Sequence, residues 1–242
     1  MVDLSGKRVL ITGGAGGVGR AVAGLLSERG ARILLADRAE RDLHRAREEV
    51  GGDIDIVAAD LSDRTGVARM FERVDEGLGG LDILVACAGV GSGPLMEMDD
   101  EGWRYVLESN LASYLACTRG AIERIRAERI DDGMIVLVGS ISVHIKAVGE
   151  SVYNAAKGGV ASFAETLRKE LMGERIRLTL IEPGAIASAM QPFPLEERER
   201  MMHEDRLLPP REVAEAILFA VTRPPGVDVV TLRIEPLIQK IY

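Results

Sequence analysis

The stretch Thr12-Gly13-Gly14-Ala15-Gly16-Gly17-Val18-Gly19 decides the fold, because it joins a short apolar run at residues 8–12 to an amphipathic segment at 19–29. Glycines let a backbone turn tightly from a strand into a helix and come close to a bound pyrophosphate. The first helical turn then offers free N–H groups and a positive dipole end. Glycines also make plain turns, but the position directly after a strand near the start of the chain favours a dinucleotide loop. Its candidate contacts are Gly13, Ala15, Gly17, Val18 and Gly19.

Aliphatic runs and helical patterns alternate along the rest of the chain. The predicted strands span residues 8–12, 32–36, 54–58, 83–86, 134–138, 177–181 and 227–234. The predicted helices span residues 19–29, 39–49, 64–77, 103–128, 152–172 and 211–222. This alternation predicts an α/β fold of the Rossmann type, a single doubly wound parallel sheet of about seven strands with helices on both faces. No linker or repeat divides the chain, so we expect one domain over residues 1–242.

Composition narrows the class of protein. Of the 242 residues 47% are hydrophobic and only 4% aromatic, which suits aliphatic strands buried between helices. The net charge of −8 disfavours nucleic acid and anionic membranes as partners. No secretory signal and no membrane-length apolar stretch is visible, so we expect a cytoplasmic protein. Cys87 and Cys117 are isolated and share no metal-ligand spacing with a histidine, so we expect no metal.

Asp37 ends the second predicted strand, 18 residues after Gly19. An acidic side chain at this place in a dinucleotide fold accepts hydrogen bonds from the adenosine ribose hydroxyls. Its charge also repels a 2′-phosphate, so Asp37 favours NAD over NADP. Arg38 is a further candidate cofactor contact, and it favours NADP instead, since a guanidinium pairs with a 2′-phosphate. A simple turn or helix cap is the plainer alternative for Asp37.

Tyr153 and Lys157 are four residues apart at the start of a predicted helix, which places both side chains on one helical face. An ammonium group near a phenol stabilises the phenolate and lowers its pKa from about 10 towards neutrality, as a general acid/base requires. Ser140 closes the fifth predicted strand, and ligands bind at the carboxyl ends of strands in open α/β sheets. Ser140, Tyr153 and Lys157 are therefore candidate catalytic residues.

Together these motifs resemble the short-chain dehydrogenase/reductase family over nearly the whole chain. The family's TGxxxGxG loop corresponds to residues 12–19, and its catalytic tetrad corresponds to Asn110, Ser140, Tyr153 and Lys157. Each motif alone is common, whereas their order and spacing together are specific. The spacing of four between Tyr and Lys is similar to the dehydrogenase pattern in this family rather than to the enoyl-reductase pattern.

The resemblance implies hydride transfer between nicotinamide C4 and a carbinol or carbonyl carbon. Tyr153 would exchange the hydroxyl proton, and Ser140 would hydrogen-bond the substrate oxygen. Lys157 would bind the nicotinamide ribose and lower the pKa of Tyr153, and Asn110 would hold a water that relays the proton to solvent. We therefore expect an NAD-dependent oxidoreductase that interconverts a small secondary alcohol and its ketone or aldehyde.

Further cofactor contacts are implied by the resemblance alone. They are Asp60 and Leu61 beside the adenine, Ala88 and Gly89 after the fourth strand, and Pro183, Gly184, Ile186 and Ser188 after the sixth. The Ser188 hydroxyl would contact the nicotinamide carboxamide. One departure concerns the family's Asn-Asn-Ala-Gly, which reads Ala86-Cys87-Ala88-Gly89 here. The Asn side chains that brace the central sheet in the family are thus missing.

The segment 184–210 is the one irregular region, and it contains a charged stretch at 195–204. A long segment beside the strand ends predicts a substrate lid, with a solvated surface helix as the alternative. His144 and Arg233 are open candidates for substrate contact. The tail that begins at Arg233 is similar to that of a subgroup acting on hydroxy acids.

Two alternatives to an NAD-dependent dehydrogenase stay open. One is an NADP-dependent carbonyl reductase, which Arg38 favours. The other is a non-catalytic NAD-binding regulator, which the fold alone allows, although a regulator has no need of an intact tetrad. The resemblance further implies a homo-oligomer, a dimer or tetramer, formed through the helices near 103–128 and 152–172.

Overall fold

A computed structural model describes residues 3–239, and within them a seven-stranded parallel sheet runs through the molecule. The strands are β1 (Arg8–Thr12), β2 (Arg32–Asp37), β3 (Ile54–Ala58), β4 (Ile83–Ala86), β5 (Met134–Val138), β6 (Arg177–Pro183) and β7 (Thr231–Ile234). Their order is β3-β2-β1-β4-β5-β6-β7, and each neighbouring pair is parallel. The strand order reverses between β1 and β4, and that reversal is where such sheets bind ligands.

Helices cover both faces of this sheet. They are α1 (Gly17–Ser27), α2 (Glu40–Val50), α3 (Arg64–Arg73), α4 (Asp100–Leu107), α5 (Ser113–Ala127), α6 (Ser151–Leu171), α7 (Leu195–His203) and α8 (Pro210–Val221). Helices α1, α2 and α8 contribute to one hydrophobic core, and α3, α5 and α6 to the other. The prediction of a doubly wound parallel sheet is confirmed.

The strands explain why the sequence pattern was informative. In β1, Val9 and Ile11 pack into one core, whereas Leu10 packs into the other. Successive side chains in a strand point to opposite faces, so a strand covered on both faces must be apolar at nearly every position. That requirement produces the short continuous aliphatic runs seen in the sequence.

Three of the predicted elements differ from the structure by more than two residues at one end. Helix α3 ends at Arg73 rather than at residue 77, because a π-helical turn follows it at Val74–Leu78. Strand β7 begins at Thr231 rather than at residue 227, because a turn at Gly226, with φ of 87°, occupies the approach to the strand. The predicted helix 103–128 begins earlier, at Asp100, where the Asp99 side chain accepts a hydrogen bond from the Gly102 N–H at 2.7 Å. It is also interrupted by a π-helical turn at Glu108–Ala112, which joins α4 to α5.

The two ends of the irregular segment 184–210 are hydrogen-bonded to each other. The Ala187 N–H donates to the Leu208 carbonyl at 2.9 Å, and the Leu208 N–H donates to the Ala185 carbonyl at 2.7 Å. Between these ties the charged stretch forms helix α7, in which Met201 is buried and most other side chains are not. Across residues 3–239 no helix is long and apolar enough to span a membrane.

Candidate active site

Two glycines of the loop, Gly13 and Gly19, have no space for a side chain. Gly13 has φ of 70°, and a Cβ atom there would lie 2.8 Å from the Ala88 backbone. A Cβ atom at Gly19 would collide with the Gly13 carbonyl oxygen. Gly16 precedes α1 and no side chain caps the helix at that position. The first N–H groups of α1 therefore remain available to an anionic group such as a pyrophosphate.

Asp37 ends β2 beside this loop, as predicted. One of its carboxylate oxygens accepts a hydrogen bond from the Ala15 N–H and the other from the Ala39 N–H, each at 3.2 Å. The carboxylate is thus held against the loop in a fixed orientation. Each of its oxygens retains a lone pair that could accept a ribose hydroxyl.

The end of β4 is braced in a way that the sequence did not reveal. The Thr12 hydroxyl accepts hydrogen bonds from the N–H groups of Cys87 and Ala88, both at 3.3 Å. The Cys87 thiol donates to the Thr12 carbonyl at 2.8 Å. These contacts tie β1 to β4 at the position where the family's Asn side chains are missing. Burial raises the pKa of the Cys87 thiol to about 12, so it stays protonated.

The candidate catalytic residues meet at the end of β5. Ser140 begins the turn that follows the strand, and its hydroxyl oxygen accepts a hydrogen bond from the Ser142 N–H at 3.1 Å. The Ser140 side chain lies near Tyr153, on the first turn of α6, and lowers its pKa. Lys157, one turn later, is only 4% exposed. The structure therefore brings the predicted Ser, Tyr and Lys together.

Two side chains of this group have pKa values moved by burial. Burial raises the pKa of Tyr153 and outweighs the lowering effect of the Ser140 side chain, and the nearby Glu150 charge raises it further. Burial lowers the pKa of Lys157 to about 7. The structure differs here from the expectation that Lys157 lowers the pKa of Tyr153. The Lys157 ammonium lies 5.9 Å from the centre of the Tyr153 ring and bonds other partners.

Those partners include a residue that the sequence analysis missed. The Lys157 Nζ donates to the Tyr114 hydroxyl and to the Val138 carbonyl, both at 3.0 Å. Tyr114 in turn donates to the Val138 carbonyl at 3.0 Å and is 1% exposed. Tyr114 lies four residues after Asn110, so a shared helical face was the one signal that could have found it.

Asn110 lies in the π-helical turn and is fully buried. Its amide group donates to the carbonyls of Val90 and Val106, both at 2.9 Å, and its Oδ1 accepts from the Val90 N–H at 3.2 Å. A Cβ atom at Gly89 would lie 2.6 Å from Asn110 Oδ1 and 3.8 Å from Lys157 Nζ. Asn110 thus fixes the loop after β4 within reach of the catalytic group.

After β3, Asp60 is exposed and Leu61 beside it is buried. The Asp60 carboxylate accepts from the N–H and the hydroxyl of Ser62, at 3.0 and 2.7 Å. Arg38, directly after Asp37, donates to the Tyr105 hydroxyl at 2.5 Å. Tyr105 is on α4, and no motif in the sequence indicates this contact.

After β6 the chain passes under the C-terminal tail. The Gly184 N–H donates to the Ile234 carbonyl at 2.7 Å, and the Ala185 N–H donates to the Gln239 side-chain oxygen at 3.0 Å. The Ser188 hydroxyl oxygen accepts from the Met190 N–H at 3.3 Å. The Pro183–Ser188 segment is thus held from both sides, and Ile186 and Ser188 stay partly exposed.

His144 and Arg233 meet on a common partner, Glu182, whose side chain is 5% exposed. His144 Nε2 lies 3.0 Å from one Glu182 oxygen, and the Arg233 guanidinium lies 3.3 Å from the same oxygen. Both His144 and Arg233 are 42% exposed. Glu182 is near the end of β6, directly before the Pro183–Ser188 segment, and Arg233 is near the end of β7.

Three loops lie close to one another near Tyr153. The Tyr153 N–H donates to the Ser92 hydroxyl at 3.4 Å. A Cβ atom at Gly91 would contact Met190 of the segment 184–210, and one at Gly149 would contact Pro94, each at 3.6 Å. Among the described residues no group of His, Cys, Asp or Glu side chains has the arrangement of a metal site.

Comparison with known proteins is consistent with this geometry. A sequence profile described as short chain dehydrogenase matches residues 7–199. A cis-4-hydroxycyclohexanecarboxylate dehydrogenase of Sinomonas cyclohexanicum is 36% identical over 218 residues, 87% of each chain. A 3-oxoacyl-acyl-carrier-protein reductase of Vibrio cholerae is 29% identical over 223 residues, 90% of this chain and 91% of the relative.

Solved structures agree. A dehydrogenase/reductase from Sinorhizobium meliloti superposes with a TM-score of 0.85 at 26% identity, covering 97% of this chain and 95% of the other. A metagenomic short-chain oxidoreductase in complex with NADP superposes with a TM-score of 0.83 at 25% identity, covering 98% of this chain and all of the other.

The fold and the site define an oxidoreductase with a nicotinamide cofactor. The chain belongs to the short chain dehydrogenase family, whose members bind such a cofactor and act on CH–OH groups.

Proposed function

We propose that this protein is an NAD-dependent oxidoreductase that interconverts a small secondary alcohol and its ketone or aldehyde. The observation that carries the proposal is the convergence of Ser140, Tyr153 and Lys157 next to the glycine loop. Gly13 packs on Ala88, and Gly89 lies next to Asn110 and Lys157, so the segment 88–89 connects the glycine loop to the candidate catalytic residues.

The chemistry divides among the residues of the tetrad. NAD, when bound, supplies the hydride acceptor. In the oxidative direction Tyr153 takes the substrate hydroxyl proton, while Ser140 holds the substrate oxygen by a hydrogen bond. Protonated Lys157 favours the ionised form of Tyr153 when its ammonium group approaches the phenol oxygen. The position of the Lys157 amino group is supported by two hydrogen bonds, which it donates to the Tyr114 hydroxyl and to the Val138 carbonyl.

The proposed water-holding role of Asn110 is narrowed by its hydrogen bonds. Its side-chain amide hydrogens are both donated to backbone carbonyls, so they cannot also bind a water. A relay water would therefore accept no proton from Asn110 and would donate to one of its oxygens. The side chain itself would serve to hold the π-helical turn open.

The remaining contacts proposed for the cofactor follow the cleft from one end to the other. The glycine loop contributes Gly13, Ala15, Gly17, Val18 and Gly19 at the pyrophosphate. Asp37 is proposed at the adenosine ribose, and Asp60 and Leu61 at the adenine. Ala88 and Gly89 line the middle, and Pro183, Gly184, Ile186 and Ser188 lie at the nicotinamide.

NAD is the proposed cofactor because the Asp37 carboxylate would repel a 2′-phosphate. NADP with a reductive direction is the alternative. It is supported by the NADP complex of one structural relative and by the reductase activity named for one sequence relative. A non-catalytic regulator is the weaker alternative, because it gives no reason for the buried, hydrogen-bonded Lys157.

The first test is a titration of the purified protein with NADH and with NADPH, followed by nicotinamide fluorescence. We expect NADH to bind at least about tenfold tighter, a difference of about 1.4 kcal/mol. Asp37→Ala should abolish that preference, and Asp42→Ala, an acidic residue on the first turn of α2, should keep it. Tighter binding of NADPH by the wild type would support the reductase alternative, and binding of neither would contradict the proposal.

A hydroxy acid is the second candidate for the substrate. One relative is named for a hydroxycyclohexanecarboxylate. In this chain Arg233 and His144 are half-exposed beside the segment proposed at the nicotinamide, although Glu182 offsets part of the Arg233 charge. A panel comparing 4-hydroxycyclohexanecarboxylate with 4-methylcyclohexanol would decide. A carboxylate subsite predicts that Arg233→Gln raises KM for the acid alone, whereas equal effects on both compounds would exclude it.

Three further properties belong to the same proposal. The segment 184–210 is proposed as a lid, since Met190 lies close to Gly91 in the loop after β4, and Ser92 of that loop accepts a hydrogen bond from the Tyr153 N–H. A dimer or tetramer in the cytoplasm is proposed, supported by exposed Leu115 and Met172 on or beside the two helices expected at the interface. The chain is proposed to act as a single domain. Light scattering after size-exclusion chromatography would measure the oligomeric state.

A further inference from the structure

Arg38 conflicts with the cofactor preference proposed above. It directly follows Asp37, and a guanidinium at that place would pair with the 2′-phosphate of NADP in a bidentate manner. The repulsion between Asp37 and the 2′-phosphate would then be offset by the attraction between Arg38 and the same phosphate. The contacts of the Arg38 guanidinium in the folded protein therefore decide how strongly the protein discriminates against NADP.

The structure shows the Arg38 guanidinium engaged with another part of the cleft. Its Nη1 donates to the Tyr105 hydroxyl at 2.5 Å, and its Cζ lies 5.7 Å from the centre of the Tyr105 ring. The Tyr105 hydroxyl in turn donates to an Asp60 oxygen at 3.5 Å. Three separate elements, the loops after β2 and β3 and helix α4, thus meet at the adenosine end.

The carboxylate at the end of this chain of hydrogen bonds is kept ionised. Partial burial raises the pKa of Asp60, but the Ser62 hydrogen bonds, the Arg38 charge and the Tyr105 hydroxyl outweigh that effect and hold the pKa below its usual value. An ionised Asp60 attracts Arg38 and accepts from Tyr105. Because Tyr105 accepts from Arg38 while donating to Asp60, each bond strengthens the other.

We propose that Tyr105, supported by Asp60, is a specificity-determining residue that holds Arg38 away from the ribose 2′ position and so strengthens the exclusion of NADP. This inference rests on the proposed nicotinamide function and names a residue that acts on Arg38 rather than on substrate. Exclusion then has two parts. Asp37 repels the 2′-phosphate, and Tyr105 withholds the cation that would attract it.

The test is equilibrium binding of NADH and NADPH, measured by nicotinamide fluorescence, to the intact protein and to three variants. Tyr105→Phe removes the hydroxyl and keeps the ring. It should tighten NADPH binding about three- to fivefold, the size expected for an exposed charged contact, and leave NADH binding unchanged. Tyr105→Ala removes the ring as well and should give at least the same gain. In Tyr105→Phe/Arg38→Ala the gain should vanish, because it is Arg38 that the substitution releases.

The outcomes separate this inference from the proposed function. If the wild type prefers NADH but Tyr105→Phe leaves the NADPH affinity unchanged, the inference is overturned while the function stands. A gain in NADPH affinity that persists after Arg38→Ala also overturns it, since Arg38 would then not be the group released. If the wild type binds neither nucleotide, the proposed function fails first. Circular dichroism of each variant at the temperature of the titration establishes that the folded protein is being compared.

Discussion

The glycine loop and the candidate catalytic site at the end of β5 are shaped by different parts of the chain. We call the second region, which contains Asn110, Ser140, Tyr153 and Lys157, the catalytic corner. The loop is shaped mainly by close backbone packing, with Gly13 and Gly19 packed so closely that no Cβ atom fits. The catalytic corner is shaped by polar side chains, with Lys157 and Tyr114 almost completely buried. A backbone site tolerates no added atom, whereas a side-chain site depends on each functional group it contains. The two regions should therefore fail in different ways when mutated.

The largest effect is expected from one hydroxyl in the catalytic corner. Tyr153→Phe removes the proposed acid/base and keeps the ring, so kcat should fall about 10²- to 10⁴-fold, or about 3–5 kcal/mol in activation free energy. Steady-state kinetics with the alcohol identified by a substrate panel measures it. NADH binding and thermal stability should change little, and a variant that keeps a tenth of the wild-type kcat would show that Tyr153 is not the proton carrier.

The glycine loop offers the opposite experiment, in which one methyl group is added. Gly19→Ala would press a Cβ atom against the Gly13 carbonyl and should lower the free energy of unfolding by about 2–3 kcal/mol while weakening NADH binding. Gly24→Ala on the same helix is the matched control. Its Cβ meets nothing within 4 Å, so it should stabilise the protein by about 0.5–1 kcal/mol. Urea denaturation measures both, and equal effects would mean that the loop packs less tightly than described.

The contrast between these regions also explains what the sequence could predict. The loop is recognisable in the sequence from its glycines, because close backbone packing requires glycine at particular positions. Ser140, Tyr153 and Lys157 lie at a strand end and on one helical face, so local periodicity brings them together. The roles of these residues stay predictions, whereas the family and the sheet topology are confirmed.

The contacts that the sequence analysis missed depend on how helices cross the sheet. Tyr105 reaches Arg38, and Tyr114 reaches Lys157, only through tertiary packing. The π-helical turn at Glu108–Ala112 adds a residue to one turn and rotates α5 relative to α4 by about 100°. An uninterrupted helical pattern over 103–128 therefore could not assign both tyrosines to their faces.

Buried Lys157 makes the stability of the cofactor-free protein depend on pH. Its pKa is about 7 in the folded protein, compared with about 10.4 in an unfolded chain. Between these values the unfolded chain binds a proton that the folded protein has released, so the free energy of unfolding should rise with pH. From pH 7 to 8.5 the rise should be about 1.5 kcal/mol.

Lys157→Met isolates this effect, because every other titrating group is shared by the two proteins. Chemical denaturation at each pH should show the wild type gaining stability relative to the variant by that amount. Burial raises the pKa of Cys87 and Cys117 to about 12 in the fold, and because both proteins contain these cysteines, their contribution cancels in the difference. Parallel pH profiles for the two proteins would show that Lys157 is charged and solvated in the cofactor-free state.

The smallest effect should come from Tyr114, and it tests whether the catalytic corner extends beyond the tetrad. Tyr114→Phe leaves Lys157 with the Val138 carbonyl as its one remaining protein acceptor among the described residues, and should cost about 1 kcal/mol of stability. Tyr105→Phe, which removes a phenol hydroxyl from a partly exposed position on α4, is the control and should cost less than about 0.5 kcal/mol.

Activity separates two roles for Tyr114. If its hydroxyl positions Lys157, Tyr114→Phe should lower kcat several-fold and shift the pH profile of kcat, because the Lys157 ammonium then has a different set of partners. If the hydroxyl only fills the core, stability falls while kcat and its pH profile match the wild type. The second result would confine the catalytic corner to Asn110, Ser140, Tyr153 and Lys157. The chemistry of the catalytic corner would then depend on these four residues alone, since the Tyr114 hydroxyl that Lys157 contacts would not contribute to it.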